Sequence, residues 1–493
     1  MRVKLAGFNV DSAILKRLNR TGSATMTPET LSAAYARISR SPLSIDQLRK
    51  KACQDVEKAR KLNQKIIFAM GHHSVAEHAV FNFDIMGISR LALEEIERFR
   101  LVSYTEKSQR YVTLAGDYIL PDEVKEQSLK KVFGETIQRQ NQFYLKAFST
   151  LCEHWQKQYA QAGTRAPEQK LLEGKAKEDA RYILSLATQG QVGMTINARN
   201  LEHLFRRCNC SAREEVRKLA KKMYALVMPI APSIILFPQP SAFDREANAA
   251  LSTHWDIIPV TAPLNASREP EIVSCSKNSD DLVLTSFLSR AKNISFPLAL
   301  AAIEKMSFAK KKAAFTNFFS KIQFFDAPPR EFELADITFQ ALISAANFAQ
   351  LKRHRLATLI AGDYLPEFGN VVPESVAAAG LDGEFNQIIE QTNSAYLKIK
   401  EKYGPAADYI LTNSHCRHIL MKMNLREVYH FVRLRDDEHA QWDIRRLAHQ
   451  LAEKVKTLMP LSAMMLCGKS DFDQEYKKNY PASTGAESQD LQF

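Results

Sequence analysis

The chain has little from which a disulfide framework, a membrane anchor or a metal cluster could be built. Its 493 residues include 7 cysteines, at positions 53, 152, 208, 210, 275, 416 and 467. An odd number, scattered singly apart from Cys208 and Cys210, argues against a stapled secreted scaffold. Cys208-Asn-Cys210 lacks the two-residue spacing of usual zinc sites, so no metal is expected although His203 lies five residues upstream. The longest apolar stretch, residues 224–237, contains Pro229 and Pro232. It falls well short of the roughly 20 residues that a membrane helix needs. The first ten residues, MRVKLAGFNV, have no apolar core of the signal-peptide kind. A cytoplasmic protein without a membrane partner is expected. A Gly-x-Gly-x-x-Gly run is also missing, which removes the usual dinucleotide loop of a Rossmann unit.

What is present is ordinary globular material with a basic surplus. Hydrophobic residues make up 45% of the chain, and the formal net charge is +12. Such a surplus fits either a nucleic-acid surface or pockets for small polyanions. The longest unbroken basic block is Lys310-Lys311-Lys312, and no compact run of Lys and Arg interleaved with aromatics occurs. A short run of this kind reads as a solvated helix face, so nucleic acid is not expected as a partner. Charge alone does not decide between the two.

The chain repeats itself. Arg98-Phe99-Arg100 recurs as Arg353-His354-Arg355, and Ala115-Gly116-Asp117-Tyr118 as Ala361-Gly362-Asp363-Tyr364. Arg100 and Asp117 are 17 positions apart, whereas Arg355 and Asp363 are 8 apart. The residues missing from the second copy include counterparts of Glu106, Ser108 and Arg110. At this length one core is too small, and the repeat divides the chain into two domains, 1–237 and 269–467. Residues 238–268, with four prolines and no sustained period, read as a connector. The polar segment 468–493 reads as a disordered tail.

Periodicity supplies the local elements. Residues 44–70 carry a helical stripe from Leu48 to Ile67 that ends at Gly71. Phe81, Phe83 and Ile85 alternate with Asn82 and Asp84 as in a half-buried strand, and residues 88–100 then read as a helix with the motif arginines near its end. The second copy reads as a strand at 332–334 and a helix over 336–355. Ser211 to Glu214 looks like a capping box opening a helix through Val227, with 439–458 as its counterpart.

Several ordered segments resemble the flavin-dependent thymidylate synthase (ThyX) family. Arg98-Phe99-Arg100, Ser103 and Glu106-x-Ser108-x-Arg110 are similar to its Arg-His-Arg signature, with Phe99 and Thr105 departing from it. Gly71-His72-His73-Ser74 through Glu77-His78 resembles an upstream segment. Asn197-Ala198-Arg199 in one copy, with Asn424-Leu425-Arg426 and His439 to Trp442 in the other, resembles the C-terminal region. The resemblance implies an α+β fold in two tandem copies, each a small, mainly antiparallel sheet packed with long helices. It also implies FAD as cofactor, methylenetetrahydrofolate and NADPH as co-substrates, and methylation of dUMP to dTMP. A homodimer of tandem chains would correspond to the family's tetramer.

Carried over position by position, the family's residues divide between the copies. One face of the nucleotide site matches Glu106, Ser108, Arg110 and Arg181 in the first copy, where Arg181 lies 16 residues before Asn197 and its second-copy equivalent is Asp408. The opposite face matches Gln350, Arg353 and Arg435 in the second copy, where the first has Glu95, Arg98 and Cys208, or Arg207 with a one-residue slip. Arg435 is the implied catalytic cation, and Ser108 an orienting group at the reacting centre rather than a nucleophile. Flavin positions match Ser74, Glu106, Asn197, Arg199 and His203 in the first copy. In the second they match Arg353, His354, Arg355, Asn424, Arg426 and His430. Each copy thus lacks what the other retains, and one composite site per chain is the expectation. A connector of about 30 residues spans roughly 30 Å as a coil, which permits the faces to meet within a chain or between two, and the second is preferred. The alternative is a non-catalytic flavin- or nucleotide-binding protein descended from a decayed duplication.

Overall fold

The computed structural model describes residues 1–21, 25–110, 112, 114, 116–161, 168–255 and 267–481. Two compact units result, one of Met1–Ala262 with Val372–Asn413 and the other of Pro263–Val371 with Ser414–Phe493. The class is α+β in two copies, for each unit holds one four-stranded antiparallel sheet of identical topology. In unit 1 the order is β1 (Arg2–Phe8), β2 (Val80–Ser89), β4 (Gln189–Asn197), β3 (Val102–Glu106). In unit 2 it is β5 (Glu271–Cys275), β6 (Asp336–Ser344), β8 (Cys416–Asn424), β7 (Thr358–Ala361).

The central strands form because one face is apolar at period two. Phe81, Phe83 and Ile85 are buried while Asn82 and Asp84 point out, and Ile337 and Phe339 do the same in β6. Each central strand runs into a short helix capped by its own last serine. Ser89 Oγ accepts from Ala92 N at the start of Arg90–Ile96, and Ser344 Oγ accepts from Asn347 N at the start of Ala345–Leu351. The same serines donate to carboxylates, Ser89 to Glu215 and Ser344 to Asp443, so each strand-helix corner is anchored to a later helix of its unit, Glu214–Val227 or Trp442–Leu458. Gly87, at φ +66, sits where the β2 register slips and frees the strand end to turn.

Residues 372–413, which lie inside the second repeat by sequence, fold into unit 1. Their helix Asp382–Tyr403 packs on the 35-residue helix Gln127–Gln161. Gln140, fully buried, donates from Nε2 to Thr392 Oγ1 at 2.9 Å and to the Ile410 carbonyl at 3.1 Å, and Phe143 meets Phe385 edge to face. A bridge pairs Ser185 with Thr412, which occupy equivalent positions in the two repeats.

Several local expectations require correction. The stripe over 44–70 breaks at Asp55, which caps a second helix, so Ile45–Gln54 and Val56–Asn63 replace one element. In the second copy 336–344 is strand, because Ile337, Phe339, Ala341 and Ile343 alternate, and the helix covers only Ala345–Leu351. Residues 332–334 form a 3-10 turn. The motif arginines fall just past both short helices. The helix Glu214–Val227 forms without the expected cap, since Ser211 Oγ accepts from Arg213 N instead, while Trp442–Leu458 is capped by Gln441. The connector contains a helix, Ala242–Trp255, and residues 256–266 lie outside the described residues. The tail is helical over Phe472–Asn479, where Phe472, Tyr476 and Tyr480 stack at four-residue spacing against the unit 2 core. Its remainder, 482–493, is outside the described residues. No helix among the described residues is long and apolar enough to cross a membrane.

Candidate functional site

Unit 1 gathers the first face around three arginines. β3 ends at Glu106, whose carboxylate lies 3.5 Å from Arg90 Nη1. Arg90 donates from Nε to Asn413 Oδ1 at 2.8 Å and from Nη2 to Glu94 at 3.4 Å. Asn413 in turn donates to the Arg181 carbonyl at 2.9 Å and to Gln109 Oε1 at 3.1 Å. A carboxamide from the second repeat therefore ties together the loop after β3, the turn at Arg181 and the helix at Arg90. Arg110 pairs with Glu178, and its backbone N–H donates to Ser108 Oγ at 3.1 Å, a local turn bond that fixes the hydroxyl.

Arg181 opens the 3-10 turn Arg181–Ile183 and is buried. Its Nε donates to the Glu178 carbonyl at 3.1 Å, while Nη2 is enclosed with no hydrogen-bond partner. Burial pushes its pKa down; Tyr182 and Glu178 oppose that shift, and Arg90 and Arg110 add to it. Burial also raises the Glu178 carboxyl against the pull of Arg110 and Arg181. An enclosed guanidinium nitrogen of this kind is costly unless an acceptor reaches it, and an anionic oxygen is the best acceptor.

The first-copy flavin positions occupy another neighbourhood of unit 1. Asn197 caps the helix Ala198–Asn209, accepting from Asn200 N at 3.0 Å. Arg199 pairs with Glu77 on the turn His73–His78, which presents Ser74 to solvent. His203 meets the Phe99 ring edge to face at 5.4 Å, and burial, then Arg207 and Arg206, lower its pKa.

Unit 2 assembles the second face where the helix Ala345–Leu351 meets the end of Leu425–Arg435. Gln350 is buried, with Nε2 3.4 Å from Gln441 Oε1, and its carbonyl accepts from Arg435 Nη2 at 3.4 Å. Arg435 Nε donates to His354 Nε2 at 2.9 Å. His354 is buried between Arg353, which is exposed, and Arg355, which is half-buried, so the motif turns its imidazole inward. Asn424 caps its helix by accepting from Glu427 N, Arg426 holds the Pro328 carbonyl and Glu333, and His430 faces the His354 ring at 5.7 Å.

The counterparts of the missing functions also come together. Arg213 donates from Nη2 to Asp408 at 2.6 Å and from Nη1 to Glu95 at 3.3 Å, all within unit 1. Burial works against the Arg213 charge, but Asp408 and Glu95 hold its pKa above the ordinary value. Glu95 stands where the second copy has Gln350, and Asp408 where the first has Arg181. Sequence reasoning passed over Arg90, Glu178, Arg213 and Asn413. For Asn413 a signal existed, since a polar residue there replaces Leu186 of the first repeat.

A model of the thymidylate synthase complementing protein family matches residues 23–233 and 281–461, one segment in each repeat. The chain belongs to this family. It is 34% identical over 220 residues to a flavin-dependent thymidylate synthase of Clostridium tetani, a match covering 44% of this chain and 84% of that one. Similarity also extends across both repeats, to the UPF0159 protein Ta1429 of Thermoplasma acidophilum, at 24% identity over 453 residues, 80% of this chain and 86% of that one. Among solved structures, thymidylate synthase X from Helicobacter pylori with FAD and dUMP aligns at 19% identity and a TM-score of 0.29, covering 46% of this chain and 93% of that one. The duplicated family domain accounts for the paired sheets. Within this tandem member of the family, the signature arginines follow equivalent helices in both units. In unit 2 the residue between them, His354, accepts from the helix-terminal Arg435, whereas the first copy has Phe99 and Cys208 at these positions.

Proposed function

We propose that the chain is an FAD-dependent thymidylate synthase that methylates dUMP at one composite site per chain. The observation that supports it most is Arg181, whose buried Nη2 has no acceptor beside Arg90 and Arg110. A nucleotide phosphate supplies that acceptor, with Arg110 as second cation and Glu106 and Ser108 orienting the nucleotide. Arg435, with Gln350 and Arg353, takes the other side. Its guanidinium stabilises the negative charge that develops on the uracil ring as C5 attacks the one-carbon unit. In the balanced reaction the C5 proton is lost to solvent, the methylene carbon of methylenetetrahydrofolate becomes the methyl group, and NADPH is the source of the reducing electrons.

Reduced FAD, when bound, supplies the hydride. In each unit the assigned residues include guanidinium groups suited to a pyrophosphate: Arg199 in unit 1, with Ser74, Glu106 and His203, and Arg353, Arg355 and Arg426 in unit 2, with His430. The His354 ring, whose Nε2 accepts from Arg435, is taken up within the protein. Asn197 and Asn424 spend their carboxamide oxygens on helix caps, which leaves their amide nitrogens to act as donors. Asn413 joins Arg90, Gln109 and Arg181 within unit 1, so it braces the first face alone.

The test is tritium release from C5-labelled dUMP by purified protein with FAD, methylenetetrahydrofolate and NADPH. Release that depends on all three supports the reading. A flavin spectrum and dUMP binding without release would point instead to a non-catalytic nucleotide- and flavin-binding protein.

A further inference from the structure

His354 is 4% exposed and follows the helix Ala345–Leu351, with its backbone N–H bonded to the Leu351 carbonyl at 3.0 Å. Its Nε2 accepts from Arg435 Nε at 2.9 Å. Its Nδ1 faces Glu427 at 3.7 Å, beyond hydrogen-bond length. Phe431 and His430 close the ring edges at 4.9 and 5.7 Å. Both nitrogens are thus turned toward protein. An imidazole accepts at Nε2 only when neutral, with its proton on Nδ1.

Arg435 is the last residue of its helix, and its long side chain needs fixing if its charge is to act at one place. A carboxylate at Nε would fix it and cancel much of that charge. A neutral imidazole fixes Nε without adding a charge there, and the Gln350 carbonyl holds Nη2 in the same way.

The first repeat is an internal control. Its equivalents of His354 and Arg435 are Phe99 and Cys208, the latter buried. Phe99 meets His203 edge to face at 5.4 Å, as His354 meets His430 at 5.7 Å. The ring and its aromatic neighbour are kept, but the acceptor is gone where the cation is gone.

We propose that His354 is the positioning residue of Arg435, a neutral acceptor that aims the guanidinium at the substrate ring. The inference rests on the assignment of Arg435 to dUMP made above. The test compares His354→Phe, which copies the first repeat, with His354→Gln, whose side-chain oxygen reaches the Nε2 position. Kinetics are measured at saturating FAD, dUMP affinity by calorimetry on the holoenzyme, and FAD affinity by fluorescence. The Phe variant should lose about tenfold or more in kcat with FAD affinity little changed, and Gln should recover at least about a third of wild-type kcat. In an Arg435→Ala background, His354→Phe should change dUMP affinity by less than about twofold, since a residue acting through another has no effect once that one is removed. Equal damage from Phe and Gln, a loss confined to FAD affinity, or effects that multiply in the double variant would each overturn the proposal. If the wild-type protein releases no tritium, the function assigned above fails instead, and the affinity cycle still decides the coupling.

Discussion

Arg213 and Asp408 are 195 positions apart and belong to different repeats, yet they form a 2.6 Å ion pair inside unit 1, with Glu95 completing the bridge. By the repeat, Asp408 stands in for Arg181 and Glu95 for Gln350. Where one member of the pair of positions keeps a cation with an open donor, the other presents two carboxylates already satisfied by an internal arginine. If Arg181 holds the phosphate as proposed, the equivalent place in the other copy is closed to an anion electrostatically.

Removing Arg213 should therefore expose the structural character of this bridge. Arg213→Met leaves two facing carboxylates, one of them buried, and should cost about 3 kcal/mol in urea unfolding, as breaking a buried pair does. Adding Glu95→Gln and Asp408→Asn to the same chain should restore most of it. Calorimetry should find one dUMP site per chain before and after.

Substitutions on the two faces should be equally damaging although they lie in different units. Arg110→Ala and Arg435→Ala should each cost about 2 to 4 kcal/mol in kcat/KM for dUMP. Arg98→Ala, in the repeat that has Glu95 and Cys208 where the other has Gln350 and Arg435, should cost far less. Equal losses for Arg98→Ala and Arg353→Ala would show that the faces are misassigned.

Mixing separates assembly within a chain from assembly between chains. Arg110→Ala and Arg435→Ala chains, combined under conditions where subunit exchange is verified independently, should regain activity, as faces contributed by two chains require. Recovery approaching about a quarter of wild-type activity is what random pairing gives if the faces come from different chains. No recovery would place both faces in a single chain.

Stability should fall on mild acidification. Burial holds the native pKa of His354 below the ordinary 6.5, with Arg435 and His430 adding to the shift and Glu427 opposing it. The unfolded chain then binds the proton first. Its contribution is full above pH 6.5 and is lost as pH falls toward the native pKa, at no more than about 1.4 kcal/mol per pH unit. His203 shifts the same way in unit 1. Urea titrations between pH 7 and 5 should show this slope, and His354→Gln should flatten it.

Legibility in the sequence followed the range of the interactions involved. Phe81, Phe83 and Ile85 announced β2 because alternation is local, and the stripe ending at Ile67 announced helices for the same reason. The equivalent strand in the second copy was displaced because Ala341 and the run Leu342-Ile343 blur the alternation that Ile337 and Phe339 begin, so a helical period fitted as well. The tail helix at 472–479 escaped because its polar composition outweighed three aromatics that matter only against the core at Phe319 and Phe332.

By itself the sequence determined that two copies of one family domain are present and which motif residues each kept, because identity at counted positions needs no coordinates. It also contained the exchange of Arg181 for Asp408 and of His354 for Phe99. Only the tertiary structure decided that residues 372–413 leave their own repeat and fold with the first, since the burial of Gln140 against Thr392 and Ile410 is a contact between distant segments. The structure likewise found the acceptor of Arg435 in His354, the counter-charges of Arg213 in Glu95 and Asp408, and the missing acceptor of Arg181. Hydrogen bonds and ion pairs are decided by direction over a few ångströms, and linear spacing along the chain carries no record of direction.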